Sequence, residues 1–121
     1  MKKVLEVRHL TKRYGQHLAL DNVNLTLEKG EVYGLIGRNG AGKTTLIKVI
    51  TKLIRPSQGS VSLFHSTSKS EWTHALKRVG SVMEPPVALN PLNARHHLRY
   101  YCKIHHVPTP DKVIEEILDT V

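Results

Sequence analysis

Eight consecutive residues, Gly37-Arg38-Asn39-Gly40-Ala41-Gly42-Lys43-Thr44, match G-x-x-x-x-G-K-[ST] at every fixed position, and Thr45 follows them. Residues of these types at this spacing are suited to holding a polyphosphate. A wrapped loop aims several backbone N–H groups at one anion, and Gly37, Gly40, Ala41 and Gly42 are small enough to let that backbone come close. A helix opening near Gly42 adds unpaired N–H groups and the positive end of its dipole. Lys43 brings a full positive charge. Thr44 offers a hydroxyl oxygen to a magnesium ion, and Thr45 can hydrogen-bond the same phosphates. The competing reading is a glycine-rich turn that contains Lys-Thr by accident, which chance supplies in about one chain of this length in several hundred. No G-x-G-x-x-G can be laid on residues 37–45, so a dinucleotide fingerprint is excluded, and the kinase glycine loop does not fit either.

Such a loop works only between a strand and a helix. Residues 32–36 (VYGLI) form a short apolar run that predicts a strand buried on both faces. From Gly42 to about Leu53 the apolar residues Leu46, Ile47, Val49, Ile50, Leu53 and Ile54 make a helical stripe, closed by Pro56 and the turn Ser57-Gln58-Gly59. Upstream, residues 4–10 and 18–27 alternate apolar and polar around Tyr14-Gly15-Gln16-His17, which predicts an antiparallel pair. Downstream, the pattern predicts a strand at 60–64, a polar loop at 65–70, a short helix at 71–78 and a strand at 79–83 ended by Glu84-Pro85-Pro86. Asn93 is placed to cap a helix running to about His106. Pro108 and Pro110 mark a break, and Asp111 is expected to cap a last amphipathic helix.

At 121 residues the chain suits one ordinary domain. Glu6, Arg8 and His9 interrupt any signal-peptide core, and no stretch approaches the roughly 18 apolar residues of a membrane span, so a cytosolic chain is expected. Cys102, the only cysteine, excludes an internal disulfide and a cysteine zinc site, and it reads as a buried or semi-buried small hydrophobe. His96-His97 and His105-His106 are adjacent pairs, which diverge by about 100° on a helix and do not suit a metal. A net charge of +8 favours polyanions without choosing among them.

The loop, the Tyr14-Gly15 pair before it and Gly59-Ser60-Val61 after its helix resemble the nucleotide-binding domain of ABC transporters over nearly the whole chain. The resemblance implies an α/β fold of the P-loop NTPase class. It would contain an antiparallel β-subdomain, a P-loop strand-helix unit and the start of a helical subdomain, with an ATP-binding core over residues 1–91 and helical residues over 92–121. It also implies ATP and Mg2+ as ligands. Tyr14 then stacks on adenine, residues 37–45 hold the phosphates, and Thr44 and Glu84 stand near the ion. The family usually has glutamine at the position of Glu84. Ionised glutamate accepts hydrogen bonds but cannot donate them, so it would suit magnesium while repelling a γ-phosphate. Glu84-Pro85-Pro86 followed by Asn93-Ala94-Arg95 is similar to the bacitracin- and lantibiotic-export branch. The implied partners are a transmembrane permease subunit and a second nucleotide-binding domain, with the chain peripheral at the inner face of the cell membrane and no nucleic acid bound.

The resemblance also calls for a serine-glycine signature, an apolar strand ending in Asp-Glu and a switch histidine. No glycine follows Gly80, and residues 114–119 (IEEILD) are helical in period, so Glu115 and Glu116 read as solvated helix residues. An ATPase fragment that cannot complete hydrolysis is therefore expected, with strands 32–36 and 79–83 short of neighbours and prone to aggregate. Two other readings compete: a soluble ABC ATPase acting on nucleic acid or ribosomes, and a non-enzymatic gene remnant.

Overall fold

The alternating segments form one long hairpin. β1 (Lys3–Tyr14) and β2 (His17–Glu28) pair antiparallel through the two-residue connection Gly15-Gln16, with Gly15 at φ 54°. A turn this tight needs positive φ to match the twist of its strands, and glycine adopts it without steric cost. β3 (Gln58–Leu63) pairs antiparallel with the other side of β1, giving the order β2-β1-β3. The computed structural model describes residues 2–83 and 92–121. They fall in two compact units, Met1–Ser81 and Val82–Val121.

In the first unit, α1 (Lys43–Ile50) and α2 (Lys69–Leu76) pack against the sheet. The core comprises Leu5, Val7, Leu10 and Leu20 from the hairpin, Leu46 and Val49 from α1, Leu63 from β3, and Trp72 and Ala75 from α2. The hairpin is bulged: its register shifts between Val7 and Leu10, and His9 and Asn22 take φ of 48° and 49°. Side chains replace the lost ladder bonds there. Asn24 Oδ1 accepts from the His9 backbone N–H at 2.9 Å, and Asn22 Oδ1 lies 2.9 Å from His9 Nδ1.

Several expectations need correction. The helix after the loop ends at Ile50, not Leu53. Lys52 turns left-handed at φ 59°, and Leu53 N–H and Lys52 N–H return to the carbonyls of Lys48 and Val49, the paired bonds of a left-handed C-cap. Leu53 is therefore exposed. The helix expected at 71–78 begins earlier, because Ser68 accepts from the Glu71 N–H while the Glu71 carboxylate accepts from the Ser68 N–H. Neither residues 32–36 nor 79–83 form a strand. A strand exists only with a hydrogen-bonding neighbour, and none of the described strands pairs with these runs. Val32 and Ile36 are 100% and 99% exposed as a result.

Glu71 links this capping to pH. Backbone and hydroxyl hydrogen bonds from Thr67 and Ser68 push its carboxyl from the ordinary 4.5 down to about 2. The folded state thus holds the charged form more firmly than the unfolded chain does. The contribution is complete above about pH 4.5 and is lost as pH falls towards 2. The thermal midpoint of Glu71→Gln should therefore lie below that of the parent at pH 6 and converge with it near pH 2. A gap unchanged across that window would show that the carboxylate charge is not what caps α2.

In the second unit, α3 (Ala94–Ile104) and α4 (Pro110–Thr120) form a helical pair. Asn93 caps α3 as expected, its side chain accepting from His96 N–H at 3.0 Å. Pro110, expected within a break, instead opens α4 at the first helical position, where a missing N–H costs nothing, and Asp111 stands in the first turn rather than at the cap. Cys102 and Ile114 are buried, and Arg95–Glu115 and Arg99–Asp111 ion pairs join the two helices. Among the described residues, no helix is long and apolar enough to cross a membrane.

Candidate functional site

The phosphate loop is built from two left-handed glycines and one lysine. Arg38-Asn39-Gly40-Ala41 is a turn closed by Ala41 N–H donating to the Arg38 carbonyl at 3.0 Å, with Gly40 at φ 84°. Gly42, at φ 96° and ψ 1°, then leads into α1. A Cβ on Gly42 would stand 2.4 Å from the Ala19 carbonyl oxygen and 2.9 Å from Leu20 Cδ2. Only glycine allows the loop to lie this close to β2. A Cβ on Gly37 would meet Ala41 Cβ at 3.1 Å, so the two ends of the loop also touch.

The Lys43 ammonium folds back over this loop, donating to the carbonyls of Gly37 and Arg38, the latter at 2.9 Å. The N-terminus of α1 has no acidic residue in its first turn, and it has no side-chain cap, whereas α2 and α3 are capped by Ser68 and Asn93. Its N–H groups and positive dipole end thus meet no internal anion.

A cavity of about 360 Å3 opens over this helix end. Its walls are Asn39, Gly40, Gly42, Lys43, Thr44 and Thr45 on the loop side and Tyr14, His17 and Ala19 on the hairpin side. Tyr14, half-exposed at the hairpin tip, is thereby brought beside a loop more than twenty residues away in sequence. Of the expected site residues, Gly37, Arg38 and Ala41 do not line the cavity; they shape the loop through its backbone. Glu84 lies outside the described residues. Three larger clefts, of about 570, 650 and 390 Å3, lie elsewhere on the unit and include no loop residue, so their size does not make them the better candidates.

His17 and Ala19 were not anticipated as site residues. A two-residue turn puts Tyr14 and His17 opposite each other on one face of the hairpin, and Ala19, two residues on, shares that face. That signal was present in the spacing of the turn. Among the described residues, no cluster of three or more His, Cys, Asp or Glu is placed to hold a metal ion. A phosphate-bound magnesium needs no such cluster, since that ion keeps several waters and takes one or two protein oxygens, and Thr44, which has a hydroxyl, lines the cavity.

A glycine-wrapped loop, an inward lysine and an uncapped helix N-terminus define a nucleotide-binding protein of the P-loop α/β class. The chain belongs to the ABC transporter family, whose model matches residues 20–121. It is similar to the bacitracin transport ATP-binding protein of Bacillus licheniformis, with 35% identity over the whole chain and 39% of that protein. It is also 38% identical to the lantibiotic transport ATP-binding protein of Streptococcus pyogenes over 79% of this chain and 41% of the relative. The solved ATP-binding subunit of an ABC transporter superposes with a TM-score of 0.77 at 30% identity, covering 88% of this chain and 44% of the other. The chain thus spans about two fifths of the length of the relatives it matches.

Proposed function

We propose that the chain is the ATP-binding portion of a transport ATPase and that ATP with magnesium occupies the cavity between the loop and Tyr14. The observation that carries this is the shared cavity: an aromatic ring and a phosphate cradle face the same space, as a ligand with a flat base at one end and phosphates at the other requires. Residues 37–45 would hold the phosphates, with Lys43 supplying charge and Thr44 a ligand to the ion. Glu84 is the second ion contact in this reading. The charge distribution is in keeping with an anionic ligand, since fourteen of the 18 Lys and Arg residues lie in residues 1–81, the unit that contains the loop.

Export of a peptide antibiotic is the transport reading, supported by the bacitracin and lantibiotic relatives. The partners would then be a membrane permease and a second ATP-binding domain, with the chain on the cytoplasmic face. We assign binding rather than turnover to these 121 residues, because they contain no glycine after Gly80 from which a signature could be made.

Calorimetric titration with ATP and with tripolyphosphate tests this reading. Both ligands should bind, ATP more tightly. Tyr14→Ala should cost ATP roughly ten-fold, the effect of losing one base stack, and leave tripolyphosphate unchanged. ATP turnover should match that of a Lys43→Ala control. Binding of neither ligand, or an ATP affinity indifferent to Tyr14, would refute it.

A further inference from the structure

Tyr14 stands at the tip of an exposed hairpin, where a tyrosine side chain normally samples several rotamers. A ring that stacks on a base has to be held. The structure shows what holds it: the Lys12 ammonium lies 4.9 Å from the centroid of the Tyr14 ring and donates to the Arg55 carbonyl at 2.7 Å. Arg55 precedes Pro56, whose ring restricts the backbone before it, so that carbonyl is a fixed post. The same turn is tied to β1 on both sides of Lys12. Ser57 N–H donates to the Thr11 carbonyl at 2.8 Å, and Arg13 N–H donates to Ser57 Oγ at 3.0 Å. Lys12 itself does not line the loop cavity, whereas Tyr14 does. The cation over the ring is therefore not part of the cavity wall.

We propose that Lys12 is a positioning residue for the nucleoside end of the ligand. Pinned to the Arg55 carbonyl, it braces one face of Tyr14 and leaves the other to the base. The inference rests on the reading that ATP binds between the loop and Tyr14, and it assigns Lys12 no contact with the ligand. Its effect should therefore appear only with ligands that carry a base. A lysine acting merely as surface charge would attract every polyphosphate alike.

The experiment compares ATP and tripolyphosphate binding in the parent chain, Lys12→Met, Lys12→Gln and Lys12→Arg. Trp72 emission serves as the check that each variant is folded. Losing a cation–π contact at an exposed site should weaken ATP binding about three-fold in the Met and Gln variants. Tripolyphosphate binding should be unchanged, and Lys12→Arg, which keeps a cation and a donor, should recover most of the loss. An ATP to tripolyphosphate ratio equal to the parent's in the folded Met or Gln variant overturns the proposal, as does an equal loss of both ligands. If Tyr14→Ala also leaves the ratio unchanged, stacking itself fails. If the parent binds neither ligand, the ATP reading falls and this inference falls with it.

Discussion

Alanine at Gly42 is expected to lower the stability of the first unit by about 2–5 kcal/mol. Two costs add. At φ 96° an L-residue is strained in a left-handed conformation, by about 1–2 kcal/mol. The new methyl would also stand 2.4 Å from the backbone carbonyl oxygen of Ala19, which has no rotamer to escape into. Relief requires the start of α1 to move off β2, and the packing of Leu46 and Val49 beside Leu20 moves with it. Gly40 is the natural control, since it shares the positive φ, at 84°, but a Cβ there meets nothing within 4 Å. Gly40→Ala should cost about 1 kcal/mol. Trp72, the sole tryptophan and only 5% exposed in the same core, reports the transition. The Gly42→Ala midpoint should fall roughly 10 °C or more below the parent's. Equal losses at both glycines would show that conformational strain, and not the contact with Ala19, governs the position.

These two glycines mark how far the sequence alone reaches. The phosphate loop, the hairpin and the Asn93 cap were legible because each is a local pattern whose physics closes within a few residues. The strand expected at 32–36 was not realised, because its apolar run records an intention to be covered on both faces, and covering depends on partners distant in sequence. The end of α1 was misplaced for a related reason: Lys52 adopts a left-handed cap that glycine usually supplies, and its side chain gave no sign of it. The hairpin's bulge was invisible in the alternation, since Asn22 and Asn24 repair it only after folding has placed them beside His9. The site was legible as far as the spacing of its motif. That Tyr14 and His17 face Thr44 depends on Gly42 letting β2 and α1 approach, which is a packing fact rather than a pattern.

Lys43→Ala should have the opposite profile to Gly42→Ala, losing the ligand and keeping the fold. The contacts of the Lys43 ammonium are to two carbonyls of its own loop, Gly37 and Arg38. That loop lies outside the buried core, so releasing it should leave the Trp72 midpoint nearly unchanged. With a polyphosphate present, the same ammonium faces concentrated negative charge, where charge-assisted hydrogen bonds are worth about 1.5–3 kcal/mol. Its removal should weaken ATP and tripolyphosphate alike, by roughly ten- to hundred-fold. Lys43→Arg should recover little, because a planar guanidinium on the same stem cannot present one compact charge within the curl of the loop. Calorimetry at a single fixed ionic strength is needed, since added salt would screen the exposed cations of the unit and compress the difference. ATP affinity within three-fold of the parent would mean that backbone N–H groups and the helix dipole alone hold the phosphates. A midpoint falling as far as that of Gly42→Ala would make Lys43 a structural brace of the loop. Only loss of both ligands with the fold intact assigns the lysine to the anion.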